Sequence, residues 1–252
     1  MIDSLRKAFS AYTKRPFLFV WGSLMYVFML IIFFFAALAF LLAYFLFLSV
    51  IGQPFDLKSI PTLVVLGIIG LVFKFFASGL NASLARTYHS ALWKQKTTIT
   101  AFYTYALERS LQNFAILVIR DVFWLLLAGP FIAAYVFFLS TIQYMDVLIG
   151  LIVATITFVI HMLFTPALLS SGAFTTGLYS SLLHGLNLLK RKHVMFVGLY
   201  IIFAVFWLLN FVPFVQLVTI FFLYPIAYSA LILMMENYGK GTSRSKKKQE
   251  EE

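Results

Sequence analysis

Six polar or charged side chains interrupt long apolar stretches of this sequence. They are Lys74, Asn81, Arg120, Asp121, His161 and Tyr228. A charge near the middle of a bilayer costs at least about 2.5–3.5 kcal/mol on insertion scales, so such side chains usually face the inside of a helix bundle. Counted from the ends of their helices at about 1.5 Å per residue, Lys74 and Asp121 come to within roughly one turn of the same depth. We therefore treat the six residues as one candidate site.

Two arrangements of these residues are consistent with the sequence. In the first, Lys74 and Asp121 form an ion pair, Arg120 extends to cytoplasmic headgroups, and a neutral His161 hydrogen-bonds to a neighbouring helix. In the second, all six residues line a polar cavity that faces the cytoplasm and holds an anionic headgroup or solute. The first needs only structural roles, whereas the second predicts a binding site.

Catalytic signatures are missing from the sequence. It has no HExxH, GxGD, GxSxG or P-loop pattern and no cysteine. Asp121 is the one predicted intramembrane carboxylate away from an interface, which excludes a protease with two aspartates. The four histidines have no ligand-like spacing, which argues against a zinc site. We expect a protein that is not an enzyme and has no cofactor or metal.

The composition of the chain indicates whether the helices around the site lie in water or in lipid. The chain has 252 residues, of which 62% are hydrophobic and 11% charged. Soluble domains average about 45–50% apolar and about 25% charged residues. One core of this size cannot bury such an excess. The composition predicts an integral membrane protein and excludes a soluble enzyme, a disordered chain and a disulfide scaffold.

Apolar runs of about 18 or more residues predict membrane-spanning helices, and there are six of them. They are 17–50, 61–85, 114–139, 147–169, 194–210 and 214–235. Of the 19 Lys and Arg residues, 16 fall in the two ends and alternate connections, one falls on the other side, and two fall inside spans. The positive-inside rule then predicts a multipass protein of the cell membrane with both termini cytoplasmic. The net charge of +10 thus reflects topology and does not indicate nucleic-acid binding.

Three segments before the predicted hairpins resemble one another. Residues 2–15, 99–112 and 178–192 each form an amphipathic pattern, ending at Pro16, Asn113 and His193. We predict an all-α integral membrane protein of six transmembrane helices, built as three parallel repeats of an amphipathic cytoplasmic helix and a transmembrane hairpin. The units are about 1–85, 98–169 and 178–237 of a single domain, 1–238, followed by a flexible charged cytoplasmic tail, 239–252.

Two helix faces carry further expectations. Leu5, Ala8, Phe9 and Tyr12 form an apolar face that we expect to lie in the inner membrane interface. A small and polar stripe on the second span is suited to close packing against another helix. Its members are Gly67, Gly70, Lys74, Ser78 and Asn81.

The segment SLRKAFSAYTKRPFLF, its two echoes, and FTPALLSSG ahead of the third echo resemble several multipass membrane families. One is the membrane-domain family found fused to some glycerophosphodiester phosphodiesterases. The resemblance implies six helices with amphipathic inserts and a membrane-associated role. It transfers no activity and no functional residue, because the hydrolase domain of those fusions is absent here.

Function is predicted only by class. We expect a non-catalytic scaffold or accessory subunit that acts through the lipid bilayer, anionic headgroups at the cytoplasmic face and a membrane-protein partner. The alternative is a permease or channel for a small anionic solute or lipid headgroup, which the intramembrane polar residues and prolines favour.

Overall fold

The structure, a computed structural model, describes residues 2–53, 55, 56, 59–139, 142, 144–188, 190, 197, 198, 201 and 218–249, with side chains up to residue 236. All regular structure in these residues is helical. The helices are α1 (Ile2–Lys14), α2 (Pro16–Val50), α3 (Ile60–Leu92), α4 (Ile99–Ala134), α5 (Met145–Ala173), α6 (178–188) and α7 (Tyr224–Gln249). A π-helical segment, Tyr135–Leu139, follows α4, and another, Thr219–Leu223, precedes α7.

Five of the described helical stretches are long and apolar enough to cross a membrane. They are Pro16–Val50, Ile60–Leu92, Ile99–Leu139, Met145–Ala173 and Thr219–Glu236. The predicted span 194–210 lies almost wholly outside the described residues, so the number of six spans stays a prediction. Residues 239–249 of the predicted tail continue α7 in the backbone.

Local sequence explains where the helices begin. Arg15 separates α1 from α2, and Pro16 occupies the first position of α2, where its missing N–H costs nothing. Ser59 caps α3 by accepting a hydrogen bond from the Thr62 N–H at 3.4 Å. Thr98 caps α4 in the same way, accepting from the Ala101 N–H at 3.2 Å.

The second amphipathic segment does not end at Asn113 as the sequence predicted. Helix α4 runs through this position without a break. The Asn113 side chain is buried and its Nδ2 donates to the Ser78 carbonyl of α3 at 3.1 Å. Because this amide bonds to a neighbouring helix, it does not compete with the backbone of its own helix.

Packing is concentrated at one end of the long helices, which we call the packed end. There the buried residues of α3 run mainly from Ser78 to Ala91, those of α4 from Phe102 to Leu117, and those of α5 from Ile160 to Ala173. The opposite ends of α3 and α4 expose apolar side chains over residues 60–73 and 118–139, roughly 21 and 33 Å of helix. These lengths are comparable with the hydrocarbon core of a bilayer, about 30 Å.

Small residues bring the helices together at the packed end. A Cβ on Gly79 of α3 would overlap the Ala106 carbonyl and the Ser110 hydroxyl of α4, and one on Gly172 of α5 would lie 2.6 Å from the Ala82 carbonyl. Ser83 donates to the Phe102 carbonyl at 2.6 Å. Both α4 and α5 therefore approach the backbone of α3 closely.

The predicted stripe is wrong at its outer members. A Cβ added to Gly67 or Gly70 would meet no described atom within 4 Å. Only Ser78 of that stripe takes part in the close packing, donating to the Ser110 carbonyl at 3.0 Å. The close contacts of α3 with α4 and α5 lie nearer the packed end than predicted, because they are formed by Gly79, Ala82 and Ser83.

Helix α1 packs most of its predicted apolar face against other helices of the protein. Ala8 and Tyr12 are buried, and Ala8 packs with Leu231 and Met235 of α7. The Tyr12 hydroxyl donates to the Phe221 carbonyl at 3.0 Å. Burial raises the pKa of Tyr12, so this donor stays protonated. Phe9 is the exception, with 56% of its surface exposed.

Gly79→Ala is predicted to destabilise the protein, whereas Gly67→Ala and Gly70→Ala are not. Overpacking typically costs about 1–3 kcal/mol, while Ala is favoured over Gly inside a helix by about 0.5–1 kcal/mol. Thermal unfolding in detergent should show a lower midpoint for Gly79→Ala and an unchanged or higher midpoint for the two controls. Equal behaviour of the three variants would contradict the close approach.

Candidate functional site

An aspartate held between two cations lies midway along α3 and α4. The Lys74 ammonium of α3 pairs with Oδ2 of Asp121. The neighbouring Arg120 donates to Oδ1 of the same carboxylate from Nη2 at 2.8 Å and from Nε at 3.0 Å. Both carboxylate oxygens thus contact a cation, and the bonds from Arg120 are charge-assisted hydrogen bonds, which are about twice as strong as neutral ones.

The first arrangement predicted that Arg120 extends to lipid headgroups, but in the structure it contacts Asp121. Its guanidinium folds back onto Asp121, the next residue of α4. Two N–H groups of the planar guanidinium donate to the same carboxylate oxygen, and the side chain stays in contact with the protein. The structure therefore replaces the predicted two-residue pair with a cluster of two cations and one anion.

His161 and Trp124 extend this group to α5. Nδ1 of His161 lies 3.0 Å from the Thr157 carbonyl, one turn earlier in its own helix, and among the described residues no bond from His161 to a neighbouring helix is seen. The Thr157 hydroxyl accepts a hydrogen bond from Nε1 of Trp124 on α4 at 2.8 Å. Sequence reasoning missed Trp124, although it lies three residues after Asp121 on the same helix face.

These side chains line a cavity of about 640 Å³ between α3, α4 and α5, which we call the ion cavity. Its polar walls are Lys74, Arg120, Asp121, Trp124, Thr157 and His161. Its apolar walls are Leu71, Val118, Val122, Leu125 and Ile160. The side chains of Lys74, Arg120 and Asp121 remain 30%, 21% and 40% exposed, so the cavity opens on the side of the helices.

Two predicted site residues lie outside the ion cavity. Asn81 is half-buried on α3, seven residues beyond Lys74 and so about 10 Å nearer the packed end. Tyr228 belongs to α7, where its ring stacks on Tyr88 with centroids 6.3 Å apart. Of the six predicted residues, the structure thus brings Lys74, Arg120, Asp121 and His161 together in the ion cavity, while Asn81 and Tyr228 do not line it.

The charged cluster in the ion cavity is not fully buried, because it lies at the edge of the packed end. Ser78 and Leu117, one turn beyond Lys74 and Asp121 along their helices, are already buried in the packed end. On the other side, Leu71 and Leu125 are largely exposed. The charges therefore lie where the exposed apolar surface gives way to the packed end.

The chemistry of this group favours an anion. Two cationic side chains and one carboxylate give the cluster an excess of positive charge, and a guanidinium beside an ammonium suits phosphate or carboxylate oxygens. Among the described residues, no group of three or more His, Cys, Asp or Glu side chains could hold a metal ion.

Comparison with known proteins returned no match. No protein-family model, no curated protein and no solved structure matches this chain.

Asp121→Leu is predicted to destabilise the protein more than Lys74→Met. The first change leaves two cations without their carboxylate, whereas the second leaves the Arg120–Asp121 contact intact. We expect losses of about 2–3 and about 1–2 kcal/mol, between the values for exposed and buried pairs. The measurement is thermal unfolding in detergent, with Lys96→Met, an exposed lysine between α3 and α4, as the matched control.

Combining the two changes tests the pairing itself. The double variant is expected to lose less stability than the sum of the single losses, since it also removes Lys74, one of the two cations that Asp121→Leu leaves without a carboxylate. Strictly additive losses would show that Lys74 and Asp121 act independently.

Proposed function

We propose that this chain is a non-catalytic protein of the cell membrane that acts as a scaffold or accessory subunit through contacts with lipid and with a membrane-protein partner. In this proposal it crosses the bilayer six times with both termini in the cytoplasm. The observation that supports it best is the ion cavity, which presents Lys74 and Arg120 at the side of the helices.

The location of these charges favours a lipid ligand. About 20–30 Å of exposed apolar helix separates the cluster from the far ends of α3 and α4, close to the thickness of the hydrocarbon core. In the proposed orientation this places the cluster near the inner boundary of the hydrocarbon, within reach of inner-leaflet phosphates. We infer that the ion cavity holds the anionic headgroup of a lipid.

Lipid dependence of stability tests this assignment. Phosphatidylglycerol added to the protein in an uncharged detergent is predicted to raise the unfolding temperature by about 5–10 °C. A ligand at 100 times its Kd contributes about 2.7 kcal/mol, and 1 kcal/mol corresponds to about 2–4 °C in a chain of this size. Phosphatidylcholine is expected to have a smaller effect.

A neutral variant isolates the ion cavity from the rest of the surface. Lys74→Gln, Arg120→Gln and Asp121→Asn combined remove the charges while keeping polar side chains of similar size. This variant is expected to lose most of the phosphatidylglycerol effect. Lys94→Gln with Lys96→Gln, exposed between α3 and α4, should retain it. Loss in the control and retention in the cavity variant would overturn the assignment.

The proposed orientation has its own test. The chain has no cysteine, so single cysteines can be added without removing others. Cysteine at Ser49 is predicted to react with an impermeant maleimide in intact cells, and cysteine at Lys96 only after the membrane is opened. Both positions are exposed. The reverse pattern would invert the topology.

The alternative is a permease for a small anionic solute, with the ion cavity as its binding site. The supporting observation is a charged cavity midway along two long helices. Passage toward the packed end would require α3 and α4 to separate at Gly79, where they are in close contact. Stabilisation by inorganic phosphate that exceeds stabilisation by lipid would favour this alternative.

A further inference from the structure

A second cavity, of about 260 Å³, lies between α2, α3 and the π-helical segment that leads into α7. We call it the tyrosine cavity. Its polar walls are Ser23, Tyr26, Tyr88 and Tyr224. Its apolar walls are Val27, Leu30, Leu84 and Ile220. It shares no lining residue with the ion cavity, and no described charged side chain lines it.

Hydrogen bonds fix one wall of the tyrosine cavity. The Ser23 hydroxyl donates to the Ile220 carbonyl at 3.2 Å and lies 2.7 Å from the Tyr88 hydroxyl. Since the Ser23 proton goes to Ile220, Tyr88 is the donor to Ser23. Ile220 belongs to the π-helical segment Thr219–Leu223, and π-bulges occur frequently at functional sites. This wall is therefore preformed.

Tyr26 differs from Tyr88 in its hydrogen bonding. Its ring is half-buried against Leu84 and Met25, but its hydroxyl makes no hydrogen bond with any described residue. A phenol is a hydrogen-bond donor, and the Tyr26 side chain lines the tyrosine cavity with this donor not used by any described residue. A ligand in the tyrosine cavity would therefore gain from placing an acceptor oxygen at Tyr26.

Size and wall chemistry restrict the remainder of the ligand. An apolar cavity of about 150 Å³ holds benzene, so the larger tyrosine cavity holds a substituted six-membered ring. Tyrosine rings favour offset stacking or edge contacts with another flat ring. A charged ligand is disfavoured because no charged lining residue would compensate for its lost hydration.

We infer that the tyrosine cavity binds a flat, uncharged ring that carries a carbonyl oxygen, the chemistry of a quinone headgroup, with the carbonyl accepting from Tyr26. Leu30 lines the cavity and is only partly buried, and Phe28 and Ile31 near it on α2 are exposed. An apolar tail on the ring can therefore leave between these side chains toward the lipid. This site does not depend on the lipid ligand proposed for the ion cavity.

The test compares two probes with the same tail, 2-decyl-1,4-benzoquinone and decylbenzene. Binding to the full chain in detergent is measured by titration calorimetry, with protein-free micelles as the blank. Wild type is expected to bind the quinone about 5–10-fold more tightly, the value of one hydrogen bond. Tyr26→Phe keeps the ring, removes the hydroxyl and should reduce this preference to less than twofold.

Two further variants make the result decisive. Tyr44→Phe removes a hydroxyl from the same helix outside the tyrosine cavity, and it should preserve the preference. Leu30→Trp fills the cavity and should abolish binding of both probes. Equal affinity of wild type for the two probes, a full preference in Tyr26→Phe, or unchanged binding in Leu30→Trp would each overturn the inference.

Discussion

The close approach of α3 and α4 at Gly79 determines how the side chains of these two helices meet, including those of the ion cluster. Without a side chain there, the α4 backbone can approach near enough for Ser78 and Ser83 to donate to its carbonyls. Such hydrogen bonds and small residues hold membrane helices together where lipid removes most of the hydrophobic drive for association. One turn beyond this contact, Lys74 and Asp121 face each other. The ion cluster therefore depends on the uncharged packing of α3 against α4 at the packed end.

The two cavities lie on different faces of α3 and have opposite chemistry. The ion cavity, between α3, α4 and α5, is charged and opens where the exposed apolar surface ends. The tyrosine cavity, between α2, α3 and the π-helical segment, has aromatic and aliphatic walls and hydroxyl groups. Helix α3 contributes to both, through Lys74 in one and Tyr88 in the other. This division is consistent with the proposal that the protein binds two kinds of membrane molecule.

The sequence predicts the helical membrane class and the meeting of Lys74 with Asp121, because hydropathy and the cost of isolated charges are local properties. It does not predict the role of Arg120, since a long side chain can turn toward lipid headgroups or back onto its neighbour with similar reach. Asn81 and Tyr228 do not line the ion cavity, since Asn81 lies two turns along α3 from Lys74 and Tyr228 belongs to α7, whose packing partner the sequence does not predict. The predicted packing stripe includes Gly67, Gly70 and Ser78 but omits Gly79, because residue type alone does not distinguish Gly79 from the two glycines with open surroundings.

Because the packing is concentrated at one end, the long helices are held at that end and extend freely from it. Their exposed ends extend roughly 20–30 Å from the packed end, so a rotation of a few degrees where they are held becomes a displacement of ångströms at the far side. Helices accommodate a change in bilayer thickness chiefly by tilting. A thinner or thicker membrane would therefore act first on the free ends and be transmitted to the ion cavity at their base. If the ion cavity holds a headgroup as proposed, its occupancy would respond to membrane thickness through the tilt of these helices.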